Sequence, residues 1–175
     1  NNKLRFLNIQ GVNSSSLFGD TKADTNGLDF TNYKIVEMDQ FAYNPSRINV
    51  GSIALYSKEE KCIVSPMYIV FSIINKECLL PEYLMLWLSR KEFHRSTLFY
   101  AIGSVRDTFD FNLMKDVVIP IPDVKTQHAI VDIYKCYVER KEINERLKKQ
   151  IKDICPILIK GSIEEGLNEQ NNIHA

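Results

Sequence analysis

The 175-residue sequence predicts an α+β fold: a domain with a mixed or antiparallel sheet and buried helices, then one long coiled-coil-forming helix. Three observations predict it. Short β-branched and aromatic runs separated by polar turns fill residues 33 to 74. An unbroken apolar run, Tyr83 to Leu88, follows Pro81. From Asp123 onward, apolar residues recur at alternating steps of three and four. The expected divisions are a domain over residues 1–122, a long spacer or dimerisation helix over 123–158, and a polar, frayed tail over 159–175.

Taken in order, residues 4 to 9 (LRFLNI) read as a short strand, and residues 10 to 32, rich in Ser, Asn, Gly, Asp and Thr, as a long loop. The strand candidates YKIVE, FAY, GSIALYS, CIVS and MYIVFSI follow, with SKEEK as a polar turn. Pro81 suits the first turn of a helix. The large apolar residues after it cannot lie on one face, so that helix should be buried nearly all round. Its continuation, SRKEFHRS, turns polar and must emerge at the surface. AIGSVRDTF brings a turn at Gly103, and VVIPIP reads as a short terminal strand punctuated by prolines.

Beyond Asp123, a heptad seam runs through Ile130, Ile133, Tyr137, Arg140, Asn144, Leu147, Ile151, Ile154 and Leu158, with two polar positions in its middle. A helix of about 30 residues reaches roughly 45 Å, further than a small domain is wide, so its own domain cannot cover it. Pro156 should kink or end it.

Composition narrows the functional classes. At 45% apolar and 25% charged, the chain falls in the ordinary globular range rather than the disordered one. The 22 basic and 22 acidic side chains balance, with 13 of each sign up to residue 122 and nine of each after it. Net electrostatics therefore gives no mandate for nucleic acid, and any such binding must come from local groups. Cys62, Cys78, Cys136 and Cys155 are scattered, without a Cys-x-x-Cys pair or a neighbouring histidine. That spacing argues against a disulfide framework or a zinc site. The first residues lack the layout of a signal peptide, and no apolar run approaches membrane-spanning length. These features together read as a cytoplasmic protein with no membrane partner.

One stretch does not fit a plain domain. FAYNPSRINVGSIAL, residues 41 to 55, begins and ends like buried strands, yet its centre holds Asn44, Pro45, Ser46, Arg47, Asn49, Gly51 and Ser52. That elbow, followed by VSPMYIVF, GSVRDTF, and VVIPIPDVKTQHAIV leading into the long helix, resembles a type I restriction-modification specificity subunit. The likeness covers nearly all of residues 33 to 155 and corresponds to one target recognition domain with one spacer helix. The Ile-Pro-Ile-Pro element followed by Gln127 and Ile130 is similar to the family's junction between domain and helix. Full members carry two such units. The resemblance therefore implies a half-subunit that pairs with a copy of itself, or part of a longer protein. It also implies a non-catalytic adaptor that selects a site on double-stranded DNA and docks methyltransferase subunits, with a restriction subunit joining the complex. No cofactor is implied in this chain. S-adenosylmethionine would sit in the methyltransferase, and ATP and magnesium in the restriction subunit.

The residues themselves agree with that reading. Base edges are read by amides, hydroxyls and arginines, with Arg matching guanine and Asn matching adenine. Asn44, Ser46, Arg47 and Asn49 supply that set on a loop stiffened by Pro45. Gly51 and Ser52 suit close backbone approach instead. Ser104 and Arg106 beside Gly103 suit a phosphate, and Arg90 and Lys91 form a basic run. Ser14, Ser15, Ser16 and Lys22 lie in a long polar loop that could order only on DNA. Bland alternatives stand beside each: a solvated turn, a local ion pair, a charged helix face. His94, His128 and His174 read as surface or structural. On the helix, Ile130, Ile133, Tyr137, Leu147, Ile151 and Ile154 form the expected homodimer interface, with Asn144 as an inward polar residue that fixes register.

A methyltransferase reading fails because Asn44-Pro45 is followed by Ser46 and Arg47 rather than an aromatic that could stack on a flipped base. A metal-dependent nuclease core fails on the order of Pro122-Asp123 and Glu59 to Lys61. Two rivals stay open: a recognition segment of a fused restriction-methyltransferase, and a protein-interaction scaffold that never touches DNA.

Overall fold

Seven short strands build two sheets in the first half of the chain, as seen in a computed structural model that describes residues 8–21, 29–101 and 108–173, with side chains described as far as residue 163. The chain divides into two units, Asn1–Val131 and Asp132–Ala175. In the first, β1 (Asn8–Val12), β2 (Phe18–Asp20), β3 (Lys34–Val36) and β6 (Cys62–Val64) form a mixed sheet in the order β2-β1-β6-β3. Only β1 and β6 run parallel there, with Ile9 opposite Ile63. The strands β4 (Gln40–Tyr43), β5 (Ile53–Leu55) and β7 (Ile69–Ser72) form an antiparallel sheet in the order β5-β4-β7.

The alternation of β4 explains why its sequence looks apolar throughout. Ala42 faces a core with Val36, Ala54, Cys62 and Val64. Its neighbours Phe41 and Tyr43 face a second core with Ile53, Leu88 and Phe109. Side chains alternate across a strand, so a strand between two cores must be apolar on both faces. Phe41 stacks on Phe71 with ring centroids 4.8 Å apart.

The helices of this unit are α1 (Pro81–Leu88), α2 (Lys91–Ala101) and α3 (Phe111–Lys115), and α4 begins at Val124. Pro81 opens α1 as expected. The expected continuation into SRKEFHRS is instead a break. The Ser89 hydroxyl donates to the Leu86 carbonyl at 3.1 Å, and His94 Nε2 meets the Leu88 carbonyl at 2.9 Å. Side chains thus satisfy carbonyls that the next helical turn would otherwise have used. Leu84, Met85, Leu86 and Trp87 are half-buried rather than enclosed all round.

Three further expectations are corrected. The loop over residues 10 to 32 contains the end of β1 and all of β2, which pair as an antiparallel hairpin with Gly11 opposite Gly19. Its turn forms because Asn13 Oδ1 accepts from the Ser15 and Leu17 amides, at 2.8 and 3.1 Å. VVIPIP is not a strand, since its prolines have no N–H to give a ladder. And α4 (Val124–Ile173) does not stop at Pro156 but continues through what was expected to be a frayed tail. Proline deletes one rung and crowds the preceding turn, a local cost of about 3 kcal/mol, and regular turns flank it on both sides.

What replaces strand pairing at VVIPIP is a set of side-chain clamps. The Tyr83 hydroxyl donates to the Pro120 carbonyl at 3.0 Å. Gln127, with no exposed surface, donates from Nε2 to the carbonyls of Cys78 and Pro122, both at 2.8 Å. Its Oε1 accepts from the Leu80 amide at 2.9 Å, satisfying a free donor at the start of α1. Asp123 caps α4 by accepting from the Thr126 amide and hydroxyl, at 2.9 and 2.7 Å. Those same hydrogen bonds hold its carboxyl below the usual carboxylate range.

Replacing Gln127 by Leu leaves the Cys78 and Pro122 carbonyls and the Leu80 amide without this partner in a part-buried setting and should lower the unfolding free energy in urea by about 2 kcal/mol. Gln127→Glu should also destabilise, because a carboxylate cannot donate to two carbonyls.

Candidate nucleic-acid interface

The elbow between β4 and β5 is built on its own backbone. The Asn44 amide donates to the Ser52 carbonyl at 3.0 Å, closing the loop at its neck. Inside it, the Arg47 carbonyl accepts from the Val50 and Ser52 amides at 3.2 and 3.1 Å, around a single 3-10 turn, Ile48–Val50. Ile48 is buried and anchors that turn in the second core. Gly51 closes it in the left-handed region, at φ 92°.

This framework sorts the predicted elbow residues. Ser46 and Arg47 are exposed, and Asn49 is half-buried. Asn44 points inward: it is 6% exposed, its Oδ1 accepts from the Ser46 amide at 3.0 Å, and its Nδ2 lies 3.7 Å from Met67 Sδ. Its part is to hold Ser46 and Arg47 in place. Arg47 makes no ion pair among the described residues.

The β1–β2 turn is locked to the elbow. Ser16, at φ 58°, donates from Oγ to the Gly51 carbonyl at 3.0 Å. Ser52 donates from Oγ to the Val12 carbonyl at 2.9 Å. A Cβ on Gly51 would fall 2.6 Å from the Ser14 carbonyl oxygen, so only glycine fits this approach. The close approach expected of Gly51 and Ser52 is therefore present, and its partner is the turn carrying exposed Ser15. Ser16 and Asn13 were missed as framework residues; the Asn-Ser-Ser-Ser run was the available signal.

Two more segments adjoin the elbow. The Pro45 carbonyl accepts from the Phe109 amide at 3.0 Å. From α2, His94 Cε1 comes within 3.3 Å of where a Gly51 Cβ would sit. Arg90 and Lys91 are exposed at the α1–α2 junction. The Arg90 guanidinium lies 4.7 Å from the Trp87 ring centroid and 3.4 Å from Glu92, so local partners already hold it. Lys22, Ser104 and Arg106 lie outside the described residues.

The predicted helix stripe is exposed. Ile130 lies in the first unit. In the second, Ile133 is 71% exposed and Leu147 50%, with Tyr137, Asn144, Ile151 and Ile154 exposed on the same side of α4. No helix of the described residues is long and apolar enough to cross a membrane. Among them, no cluster of His, Cys, Asp and Glu could hold a metal.

His94 supplies a pH test of this framework. Burial pushes its imidazole below the ordinary value of 6.5, against the opposing effect of the Leu88 carbonyl. The unfolded chain therefore binds the proton more readily. Stability present above 6.5 should fall as pH drops through that value and level off below the folded pKa. A melting series between about pH 7.5 and 5 should be flatter for His94→Gln than for the parent.

Compared with known families, residues 1–153 match the model described as the type I restriction modification DNA specificity domain. No curated protein matches the chain.

Proposed function

This chain belongs to the type I restriction modification DNA specificity family, and we propose that it selects the target of such a complex through the elbow between β4 and β5. The family is the non-catalytic specificity subunit and carries no cofactor itself. One observation carries the proposal: Ser46, Arg47 and Asn49 project from a polar loop whose backbone is hydrogen-bonded at its neck, at its centre and to two neighbouring segments. A side chain on a pre-ordered backbone discriminates between bases because little entropy is lost when it engages them. Arg47 is the strongest candidate for a guanine or for a phosphate beside it. Phe109 donates its amide to the Pro45 carbonyl, which braces the elbow from a further segment.

In this reading the chain docks methyltransferase subunits that hold S-adenosylmethionine, and a restriction subunit using ATP and magnesium joins the complex. The stripe from Ile133 to Ile154 pairs two chains as antiparallel helices. Its support is the exposure of that many large apolar side chains at heptad spacing, which water alone does not favour.

Two experiments test these statements. With partner methyltransferase subunits present, adenine methylation mapped across genomic DNA should broaden at one base pair of the target in Arg47→Ala, by roughly tenfold against the wrong base. An unchanged methylated sequence would remove the elbow from recognition. By sedimentation, the parent chain should have dimer mass and Leu147→Asp monomer mass; a parent monomer overturns the helix pairing.

A further inference from the structure

We infer that the β1–β2 turn and the elbow act as a single reading unit, with Gly51 and Ser16 as the positioning residues that set the distance between them. The inference rests on the recognition reading above and adds a second segment to it. Two loops far apart in sequence meet without a regular ladder between them. The Ser16 hydroxyl bonds the Gly51 carbonyl, the Ser52 hydroxyl bonds the Val12 carbonyl, and the Ser14 carbonyl rests where any Gly51 side chain would have to be.

Each tip is also fixed internally. Asn13 holds the Ser15 and Leu17 amides, and Asn44 holds the Ser46 amide. The same device appears on both sides of the clamp: an asparagine carboxamide accepting from the amide two residues on. The outcome is a pair of exposed hydroxyl-bearing tips, Ser15 and Ser46, with Arg47 beside one of them. Short hydroxyls reach base edges or phosphates only from a backbone held close to the groove. The Gly51 peptide is the point that the two segments share, bonded by Ser16 on one side and closing the elbow's 3-10 turn on the other.

Mapping of methylated sites with partner methyltransferase subunits distinguishes the possibilities. Arg47→Ala marks the base pairs read by the elbow, and Ser15→Ala those read by the turn. Ser16→Ala deletes one of the two hydroxyls that join them and leaves the Ser52–Val12 bond in place. It should melt within a few degrees of the parent and lose selectivity at both sets of base pairs, by roughly tenfold at each. Gly51→Ala should do the same more severely, and Ser16→Ala stands alone as the test if that variant fails to fold. A Ser16→Ala protein that broadens only the Arg47 set, or neither, overturns the single unit. So does an unchanged site in Ser15→Ala. If Arg47→Ala, Ser15→Ala and Ser16→Ala all leave the methylated sequence intact, the recognition reading itself has failed.

Discussion

A buried carboxamide holds the junction on which the first unit depends. Gln127 has three hydrogen-bonding positions in use, each to backbone, and they tie together the start of α1, the proline-rich segment and the first turn of α4. Each bond contributes only about 1 kcal/mol net, but an unmade one costs more, since a buried amide or carbonyl without a partner loses its hydration and gains nothing. The junction needs this because its sequence cannot pair as a strand. Prolines at 120 and 122 lack the donors, so side chains from α1 and α4 satisfy the carbonyls that remain.

The candidate interface is built by the same physics. Where the β1–β2 turn meets the elbow, the two backbones are joined by the side chains of Ser16 and Ser52 rather than by a ladder, and Asn13 and Asn44 brace the two tips. Such residues compete with regular structure when they sit inside it, and they stabilise irregular structure where none is available. An irregular loop braced in this way is ordered before it meets a ligand, so that ordering does not subtract from the binding free energy. The buried Ile48 adds the anchor that a purely polar loop would lack.

Much of this was legible in the sequence, with failures that have physical causes. The strands from Lys34 to Ser72 were visible because β-branched and aromatic runs stand between polar turns. Pro81 and Asp123 marked helix starts by chemistry that acts locally. The β1–β2 hairpin was hidden, because its turn is made by side-chain hydrogen bonds in a run of serines that composition alone calls a loop. The break after Leu88 was hidden too, since it depends on His94 reaching back six residues in the folded chain. Asn44 carried the right chemistry for a base edge, but its burial is set by Met67 and the Ser46 amide, which no local pattern reveals. Pro156 left a kink or an end open, and the helix runs past it, because a proline weakens a helix locally without having to end it.

Charge placement bears on which kind of contact the elbow makes. Several basic groups of the first unit are held by acids nearby: Lys61 by Glu37 at 2.5 Å, Lys76 by Asp39 at 2.7 Å and Arg90 by Glu92 at 3.4 Å. All three pairs are substantially exposed and contribute little to stability, but each reduces the field the unit offers to a phosphate chain. Affinity for nucleic acid at large comes from phosphate neutralisation, so a balanced surface of this kind grips weakly. Arg47 stands exposed without an ion pair among the described residues, on a loop whose backbone is hydrogen-bonded at its neck and centre. Lys58 and Lys91 are likewise exposed without an ion pair among the described residues, so what sets Arg47 apart is the hydrogen-bonded backbone that carries it, and a cation on such a backbone suits discrimination better than general adhesion.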